Sequence, residues 1–256
     1  MNSYQLAKDT LTEPVSLLMP VCNEVEGIES VLAEMVEVVY RHLPPGSEFL
    51  IEEGGSNDGT KELLQVLNGR WPFLKIQYSD KKEGFAKAAR KLYENSQCPL
   101  VFFLDSDGQC VGSEFWKMAA QIKTSDCVLG VKRVHHDPFL RRVASAGFNG
   151  LARLLFSFGF RDINFGFRLG RRDAILLCLR ECKHMRTLLN AEMTIRLHSR
   201  GYRLTEVEVH HRPRLFGTSR GLDPDSLFKE AWQAYRGLLQ TKQELQQVWQ
   251  KHGSNS

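Results

Sequence analysis

Residues 100–109 read Leu-Val-Phe-Phe-Leu-Asp-Ser-Asp-Gly-Gln, and this stretch decides the fold. Its first five residues form an unbroken apolar run, which is typical of a strand buried on both faces of a parallel sheet. Asp105 and Asp107 come next. Because residues two apart in an extended chain point to the same side, both carboxylates can converge beyond the strand, where open α/β sheets bind ligands. The pattern predicts a Mg²⁺ or Mn²⁺ site completed by a substrate diphosphate, with Gln109 as a third protein ligand; the alternative is an acidic turn.

Strand and helix patterns alternate through the first half of the chain. Apolar runs predict strands at 15–19, 48–52, 74–78, 100–104 and 127–131, and helical periodicity predicts helices at 26–41, 60–67, 84–95 and 113–123. The first strand is expected to end at Pro20, which opens a loop through Glu24. Alternation with short connections predicts an α/β fold with a doubly wound, mostly parallel sheet flanked by helices.

The loops after the first, second and fourth strands should meet at one edge of this sheet. They carry Asn23 and Glu24, then a glycine-rich turn from Glu53 to Thr60, then the two aspartates. Such a turn can hold phosphate on its backbone N–H groups. It matches neither the dinucleotide-binding fingerprint nor the P-loop, which argues against a dehydrogenase and a P-loop NTPase.

Composition indicates a soluble globular chain with an uneven charge distribution. The 256 residues are 42% hydrophobic, and the net charge of +4 divides into +11 over residues 131–220 and −7 over the remainder. This asymmetry suggests that one half holds a metal and the other holds anions. Nucleic-acid binding is disfavoured because the arginines are spread among apolar periodic segments. Six scattered cysteines, no signal segment and no apolar run long enough to span a bilayer predict a reduced, cytoplasmic protein.

The second half loses the alternation. A helix is expected at 140–158, a loop with a short strand at 161–172, helices at 172–182 and 188–199, a strand at 202–211 and a basic loop at 212–220. Asp223 and Pro224 then begin a last helix with a single predicted apolar face. Its members are Leu227, Phe228, Ala231, Trp232, Tyr235, Leu238 and Leu239. That face either packs on the domain or meets a protein partner or a membrane.

With these motifs in order, residues 14–220 resemble family 2 glycosyltransferases of the GT-A fold, in particular polyprenyl-phosphate glycosyltransferases of the dolichyl-phosphate mannosyltransferase type. The matching positions are Pro20, Asn23 and Glu24; Ser56, Asp58, Gly59 and Thr60; Asp105, Asp107 and Gln109; Asp162, Gly166, Phe167, Arg168 and Arg172; and Glu192, Gly201, Glu206, Arg212, Arg214, Gly217, Ser219 and Arg220. Glu53 and Gly54 depart from the family, which usually has aspartates there.

The resemblance implies an inverting transfer of sugar from a nucleotide-diphosphate sugar, such as GDP-mannose or a UDP-sugar, to a polyprenyl phosphate. The implied donor-binding residues are Pro20, Asn23, Glu24, Glu53, Ser56, Asp58 and Asp105. The implied metal ligands are Asp105, Asp107 and Gln109, and the implied catalytic residues are Asp105, Asp107, Asp162 and Arg133. A phosphate acceptor is already anionic near pH 7 and needs arginines rather than a base. The acceptor candidates are Arg133, Arg141, Ser145, Arg212, Arg214 and Arg220.

Two other functions stay open. A transferase acting on a saccharide or protein hydroxyl would use Asp162 or Glu192 as its base, unless Asp162 is an ion-pair partner of Arg168 or Arg172. A non-catalytic nucleotide-sugar-binding protein would explain Glu53 and Gly54. The expected organisation is a flexible leader at 1–13, a nucleotide-sugar half at 14–131, a helical, basic acceptor half at 132–221, and a C-terminal amphipathic helix and tail at 222–256. A lipid acceptor implies peripheral contact with the cytosolic membrane face or a membrane-anchored partner subunit.

Overall fold

A computed structural model describes residues 11–133, 139–185, 187–214 and 224–253. The strands are β1 Val15–Val21, β2 Glu48–Glu53, β3 Leu74–Tyr78, β4 Leu100–Phe103, β5 Cys127–Lys132, β6 Arg168–Arg171 and β7 Leu204–Val209. The α-helices are α1 Ile28–Val38, α2 Thr60–Arg70, α3 Phe85–Asn95, α4 Phe115–Ala119, α5 Phe139–Phe156, α6 Arg172–Leu179, α7 Leu189–Ser199 and α8 Pro224–Gly253. Short 3₁₀ turns cover Tyr40–His42 and Gly112–Glu114.

All seven strands belong to one sheet with the order β3-β2-β1-β4-β6-β5-β7. Every pairing is parallel except those of β6, which runs antiparallel to β4 and to β5. The mostly parallel α/β architecture confirms the predicted fold class. The position of β6 is new, since a strand from the second half separates β4 from β5. The two predicted halves therefore share one continuous sheet.

The central strand β4 is buried on both faces, as its apolar run predicts. Phe102 meets the rings of Phe115 and Phe167 edge-on, each with centroids 4.8 Å away, in one core cluster. Phe103 stacks on Tyr93 at 5.2 Å on the opposite face, in a second cluster. These aromatic contacts fix the strand whose end carries the two aspartates.

The prediction that β1 ends at Pro20 is wrong. The strand continues to Val21, and Pro20 pairs in register with Glu52 of β2. Main-chain groups of consecutive residues face opposite neighbouring strands, so residues two apart face the same strand. The Leu18 carbonyl faces β4 and accepts from the N–H of Leu104. The missing N–H of Pro20 therefore faces the β4 side, where β4 has already ended. A proline at this position removes no ladder hydrogen bond.

The two ends of the chain also differ from expectation. At the predicted flexible leader, Leu11 is buried in the core and Glu13 pairs with Arg171. The other leader residues, 1–10, lie outside the described part, as does Asp223.

The single apolar face predicted for the last helix is wrong for its described part. Ala234 and Leu238 are buried, whereas Trp232, Tyr235 and Leu239 face away from the domain with exposed fractions of 54%, 38% and 40%. Within the described ranges, none of the helices is both long and apolar enough to cross a bilayer.

Candidate active site

The loops after β1 and β2 are joined by side-chain hydrogen bonds at the carboxyl edge of the sheet. The Asn23 N–H donates to Ser56 Oγ (2.8 Å), and the Asn23 side chain exchanges two hydrogen bonds with Asn57. The Glu24 N–H donates to Thr60 Oγ1 (2.9 Å). Asn23 has a positive φ of 54°, a strained conformation that asparagine tolerates better than most residues. The predicted convergence of these two loops is confirmed.

Asp58 organises the start of α2 rather than leaving its carboxylate open. One oxygen accepts from the N–H and hydroxyl of Thr60, and the other accepts from the Val25 N–H. Partial burial opposes ionisation, but these hydrogen bonds outweigh it and hold the pKa of Asp58 below its usual value. The Asp58 side chain thus joins the loop after β1 to the loop after β2.

Glu53, at the end of β2, is fully buried. Its Oε1 accepts the Ser56 N–H at 2.7 Å, while its buried Oε2 has no hydrogen-bond partner among the described residues. Tyr78 lies close by: burial raises the pKa of its phenol, and the Glu53 carboxylate raises it further. A buried carboxylate oxygen without a donor is costly, so this atom fits a ligand N–H or O–H.

Asp105 and Asp107 lie in the loop between β4 and α4, which we call the metal loop (residues 104–112). The backbone of Gly166 packs against Asp105 so closely that a Cβ there would lie 2.4 Å from its Oδ2. Asp107 Oδ1 accepts the N–H of Gln109 at 3.0 Å. Both carboxylates act on one thiol: burial raises the pKa of Cys110 well above its usual value, and then Asp105 and Asp107 raise it further.

These donors suit a hard divalent cation that shares its coordination with a diphosphate. No cluster of three or more acidic, histidine or cysteine side chains that could hold a metal alone occurs in the described ranges. Two carboxylates and an amide oxygen would be the protein's contribution, since Mg²⁺ is commonly held by one or two carboxylates together with substrate phosphates. The donor set fits the predicted metal, and the remaining ligands would come from the substrate.

Two of the predicted acceptor arginines are bound to acidic side chains of the first half. Arg212 donates to Glu34 Oε2 (2.5 Å) and to the Gly108 carbonyl (2.5 Å). Arg214 donates to Glu24 Oε1 (2.5 Å), which joins a predicted acceptor residue to a predicted donor residue. Residues 212–214 thus lie against both the metal loop and the loop after β1.

The other acceptor candidates differ in how far the structure describes them. Arg133 is exposed directly after β5, and its N–H donates to the Val209 carbonyl (3.1 Å). Ser145 is exposed on α5, where its carbonyl accepts from Asn149 (2.9 Å). The side chain of Arg141 and all of Arg220 lie outside the described residues.

The two base candidates have different surroundings. Asp162 is half-buried, and its Oδ1 accepts the Asn164 N–H at 3.2 Å. Its proposed ion-pair partners are bound elsewhere: buried Arg168 donates to the carbonyls of Ile163, Phe165 and Asn190, and Arg172 donates to the Ser96 carbonyl.

Glu192 is fully buried. Its carboxylate accepts from the backbone N–H groups of residues 183–185 and from Arg196. Glu192 therefore has the contacts of a structural residue.

Two residues of the site were missed by the sequence reasoning. Lys132 ends β5 with its Nζ 5.1 Å from the ring centre of Phe165, and its charge counteracts the raised pKa of Cys110 beside the metal loop. Its signal was available, since it precedes Arg133 at the carboxyl end of a predicted strand. Glu34 of α1 is the second. It has no sequence signal, because its partners come from distant segments.

Comparisons with known proteins identify the family to which this chain belongs. The model of Glycosyl transferase family 2 matches residues 16–177, which is more than half of the chain. The chain therefore belongs to glycosyl transferase family 2, and the resemblance inferred from its motifs is confirmed.

Two relatives illustrate the range of the family. The chain is 25% identical over 207 residues to glycosyltransferase AglD of Haloferax volcanii, a match covering 78% of this chain and 33% of AglD. It is 24% identical over 216 residues to the undecaprenyl-phosphate mannosyltransferase of Micrococcus luteus, covering 80% of this chain and 86% of that protein. The chain thus spans a third of AglD and most of the Micrococcus enzyme.

A solved structure supports the GT-A fold. Glucosyl-3-phosphoglycerate synthase from Mycobacterium tuberculosis, in complex with Mn²⁺, UDP and phosphoglyceric acid, superposes with a TM-score of 0.67 at 18% identity. The match covers 93% of this chain and 81% of that one. At this identity the similarity concerns the fold alone.

Proposed function

We propose that this protein is an inverting glycosyltransferase that moves a sugar from a nucleotide-diphosphate sugar to a polyprenyl phosphate with the help of Mg²⁺ or Mn²⁺. The observation that carries the proposal is the carboxyl edge of the sheet. Asp105 and Asp107 follow β4 there, and Glu53, whose Oε2 has no hydrogen-bond partner among the described residues, ends β2 on the other side of β1. One end of a nucleotide diphosphate needs a hydrogen-bond acceptor and the other needs a cation. This edge offers a group for each.

The donor half of the reaction follows from these groups. Glu53 would accept from an N–H or O–H of the base or ribose, and Asp105 and Asp107 would hold the cation. When bound, the metal neutralises charge on the departing diphosphate as the bond between its oxygen and the anomeric carbon breaks. The acceptor oxygen forms the new bond from the opposite face, so the configuration inverts.

The acceptor half is supported by cations beside this edge. A phosphate monoester has a second pKa of about 6 and is a nucleophile at pH 7 without a general base. Lys132 ends β5 near Cys110 of the metal loop, and exposed Arg133 follows it directly. They would orient the phosphate. The Micrococcus relative carries undecaprenyl-phosphate in its name, which also favours this acceptor class.

A lipid acceptor requires a surface that meets the bilayer, and α8 offers one. Its outward ridge, which we define as Trp232, Tyr235 and Leu239, combines two aromatic types that favour membrane interfaces with an aliphatic side chain. Neighbouring α5, which packs against α8, has three arginines and no acidic residue among residues 139–156. Glu244 of α8 instead pairs inward with Arg196. Apolar and basic groups together favour an anionic lipid surface.

The proposal is tested by a transfer assay. Radiolabelled GDP- and UDP-sugars are incubated with the protein, Mg²⁺ or Mn²⁺ and short polyprenyl phosphates, and label is counted in the organic phase. We expect label with one donor, and its loss in Asp105→Asn and Asp107→Asn. The matched control is Asp173→Asn, since the Asp173 side chain is 99% exposed away from this edge, and it should keep full activity.

Each alternative has its own outcome in the same assay. Label appearing on a soluble saccharide or peptide, with a pH–rate profile lost in Asp162→Asn, would indicate a hydroxyl acceptor. Saturable donor binding without turnover on any acceptor would indicate a non-catalytic protein. Either result would replace the polyprenyl phosphate assignment.

Membrane contact is tested with vesicles of phosphatidylcholine, with and without phosphatidylglycerol. We expect tighter binding to the anionic vesicles and a blue shift of Trp232 fluorescence. Replacing the three ridge residues by serine should weaken binding about tenfold or more. Val66→Ser is the matched control, since Val66 is 70% exposed on α2 in the other half. Equal binding of both variants, or a ridge-dependent dimer instead of vesicle binding, would contradict the assignment.

A further inference from the structure

Glu34, on α1, bridges two segments that are far from it in sequence. Its Oε1 accepts the Gly112 N–H at 2.7 Å, and its Oε2 accepts from the guanidinium of Arg212 at 2.5 Å. Both side chains are only 24% exposed, so the ion pair is partly shielded from water. The Glu34 carboxylate therefore binds both Gly112, at the end of the metal loop, and Arg212. Arg212 directly follows His211, which forms an isolated β-bridge with Cys110.

Arg212 extends this bridge to the middle of the metal loop. Its Nε donates to the Gly108 carbonyl at 2.5 Å, and its backbone N–H donates to the Gln109 carbonyl at 2.8 Å. The Gln109 N–H in turn donates to Asp107 Oδ1 at 3.0 Å. A continuous set of contacts thus runs from Glu34 through Arg212 to the carboxylate of Asp107.

We propose that Glu34 and Arg212 form a clamp that positions the metal loop, so that Arg212 acts on the cation site rather than on the acceptor phosphate. This inference rests on the proposed use of a cation by Asp105 and Asp107. Glu34 would act through Gly112 and Arg212, which makes it a positioning residue. The guanidinium of Arg212 is bound to a carboxylate and a carbonyl, which makes it a loop support. Residues that orient metal ligands typically change metal affinity about 10- to 100-fold when they are replaced.

Substitutions can separate this role from phosphate binding. Glu34→Gln keeps the side-chain length and one oxygen. Gly112 and Arg212 bind different oxygens of Glu34, and the NH₂ group that replaces one of these oxygens cannot accept a hydrogen bond. Arg212→Gln removes the guanidinium from the other side. Both changes break one shared interaction. The double variant should therefore retain Mn²⁺ no less well than the single variant with the lower retention. Glu37→Gln is the matched control, since Glu37 lies one turn further along α1 and pairs with exposed Arg41.

The experiment measures Mn²⁺ retention by electron paramagnetic resonance in the presence of GDP and, separately, of UDP, together with the transfer assay. We expect Glu34→Gln and Arg212→Gln to weaken Mn²⁺ retention about tenfold or more. Turnover at saturating metal and the KM for polyprenyl phosphate should change less than the metal dependence. Glu34→Asp should recover part of the retention, and the control should match the wild type.

Four results decide the inference. Wild-type Mn²⁺ retention in both single variants, or a raised KM for polyprenyl phosphate in Arg212→Gln alone, would overturn the clamp and return Arg212 to the acceptor site. Mn²⁺ loss in the variants without any lipid transfer by the wild type would support the clamp while refuting the proposed acceptor. No Mn²⁺ retention by the wild type with either nucleotide would overturn both.

Discussion

The close approach of Gly166 to Asp105 makes Gly166→Ala the sharpest structural test of the metal loop. An alanine Cβ would lie 2.4 Å from one carboxylate oxygen and 2.7 Å from the other. Since carbon–oxygen contacts are normally about 3.3 Å or more, either the Asp105 side chain or the backbone at residue 166 must move by about 1 Å. A displacement of that size at a reacting centre costs about 100-fold in rate, and overpacking costs about 1–3 kcal/mol of stability.

The assay compares Gly166→Ala with Gly159→Ala. Gly159 precedes the same loop and has open space where its Cβ would go, so its alanine variant should behave as the wild type. We expect Gly166→Ala to lower the melting temperature by about 2–12 °C and to lose about 100-fold in transfer rate, measured below its melting range. Equal rates and equal Mn²⁺ retention in the two variants would refute the reasoning that Asp105 acts from this position.

Three further predictions concern groups around the site. Glu192→Gln should lower the free energy of unfolding by about 3 kcal/mol in urea, because three backbone N–H groups and Arg196 lose a buried carboxylate. Its turnover per folded molecule should stay unchanged, and lost turnover at unchanged stability would make Glu192 the base. Burial of Glu244 opposes its ionisation, but hydrogen bonds from basic side chains, His184 first, hold its pKa at about 2. The stability that this carboxylate contributes is complete above its ordinary pKa of 4.5 and is lost as the pH falls towards 2. Glu244→Gln should therefore remove that part of the acid dependence of the free energy of unfolding. Asp58→Asn should lower the free energy of unfolding by about 1 kcal/mol in the same urea assay, since one side-chain oxygen remains to cap α2. A larger loss of stability together with weaker binding of the nucleotide sugar would give Asp58 a direct role in donor binding.

The sequence predicts those parts of the fold that depend on local patterns. The apolar run of β4 and the alternation of strands with helices need only neighbouring residues, and the structure confirms them. The insertion of β6 between β4 and β5 could not be predicted, because the pairing of Phe102 with Leu169 is a non-local contact with no local signature. Pro20 shows the same limit: a proline ends a strand only if its missing N–H faces a partner, and the partner depends on where β4 ends.

The outer face of α8 was mispredicted for a related reason. A helical pattern shows which residues share a face, but Leu238 of the predicted face is buried while Trp232 and Tyr235 of that face are exposed. Ala234, which the predicted face does not include, is buried beside Leu238. The packed face instead uses Gly237, whose missing side chain leaves room for Met185. Small residues carry little weight in an apolar pattern, and a close helix contact selects them.

The charge asymmetry of the chain has a different meaning in the structure than in the sequence. Three glutamates of the acidic first half, Glu13, Glu24 and Glu34, pair with arginines of the basic second half. Part of the positive excess thus joins the two halves of one sheet instead of binding anions. A count of arginines cannot make this distinction, because each partner lies far away in the sequence.

This pairing decides which cations can serve an acceptor phosphate. Arg212 is bound to Glu34 and a carbonyl, and using it on a phosphate would leave a partly buried carboxylate without its partner, a change that costs free energy. Arg214 could leave Glu24 only if the donor replaced that pair. Arg133 faces neither cost, since it is exposed directly after β5 and belongs to neither ion pair. We therefore assign the proposed phosphate contact to Arg133 and loop support to Arg212, a division that leaves both ion pairs intact.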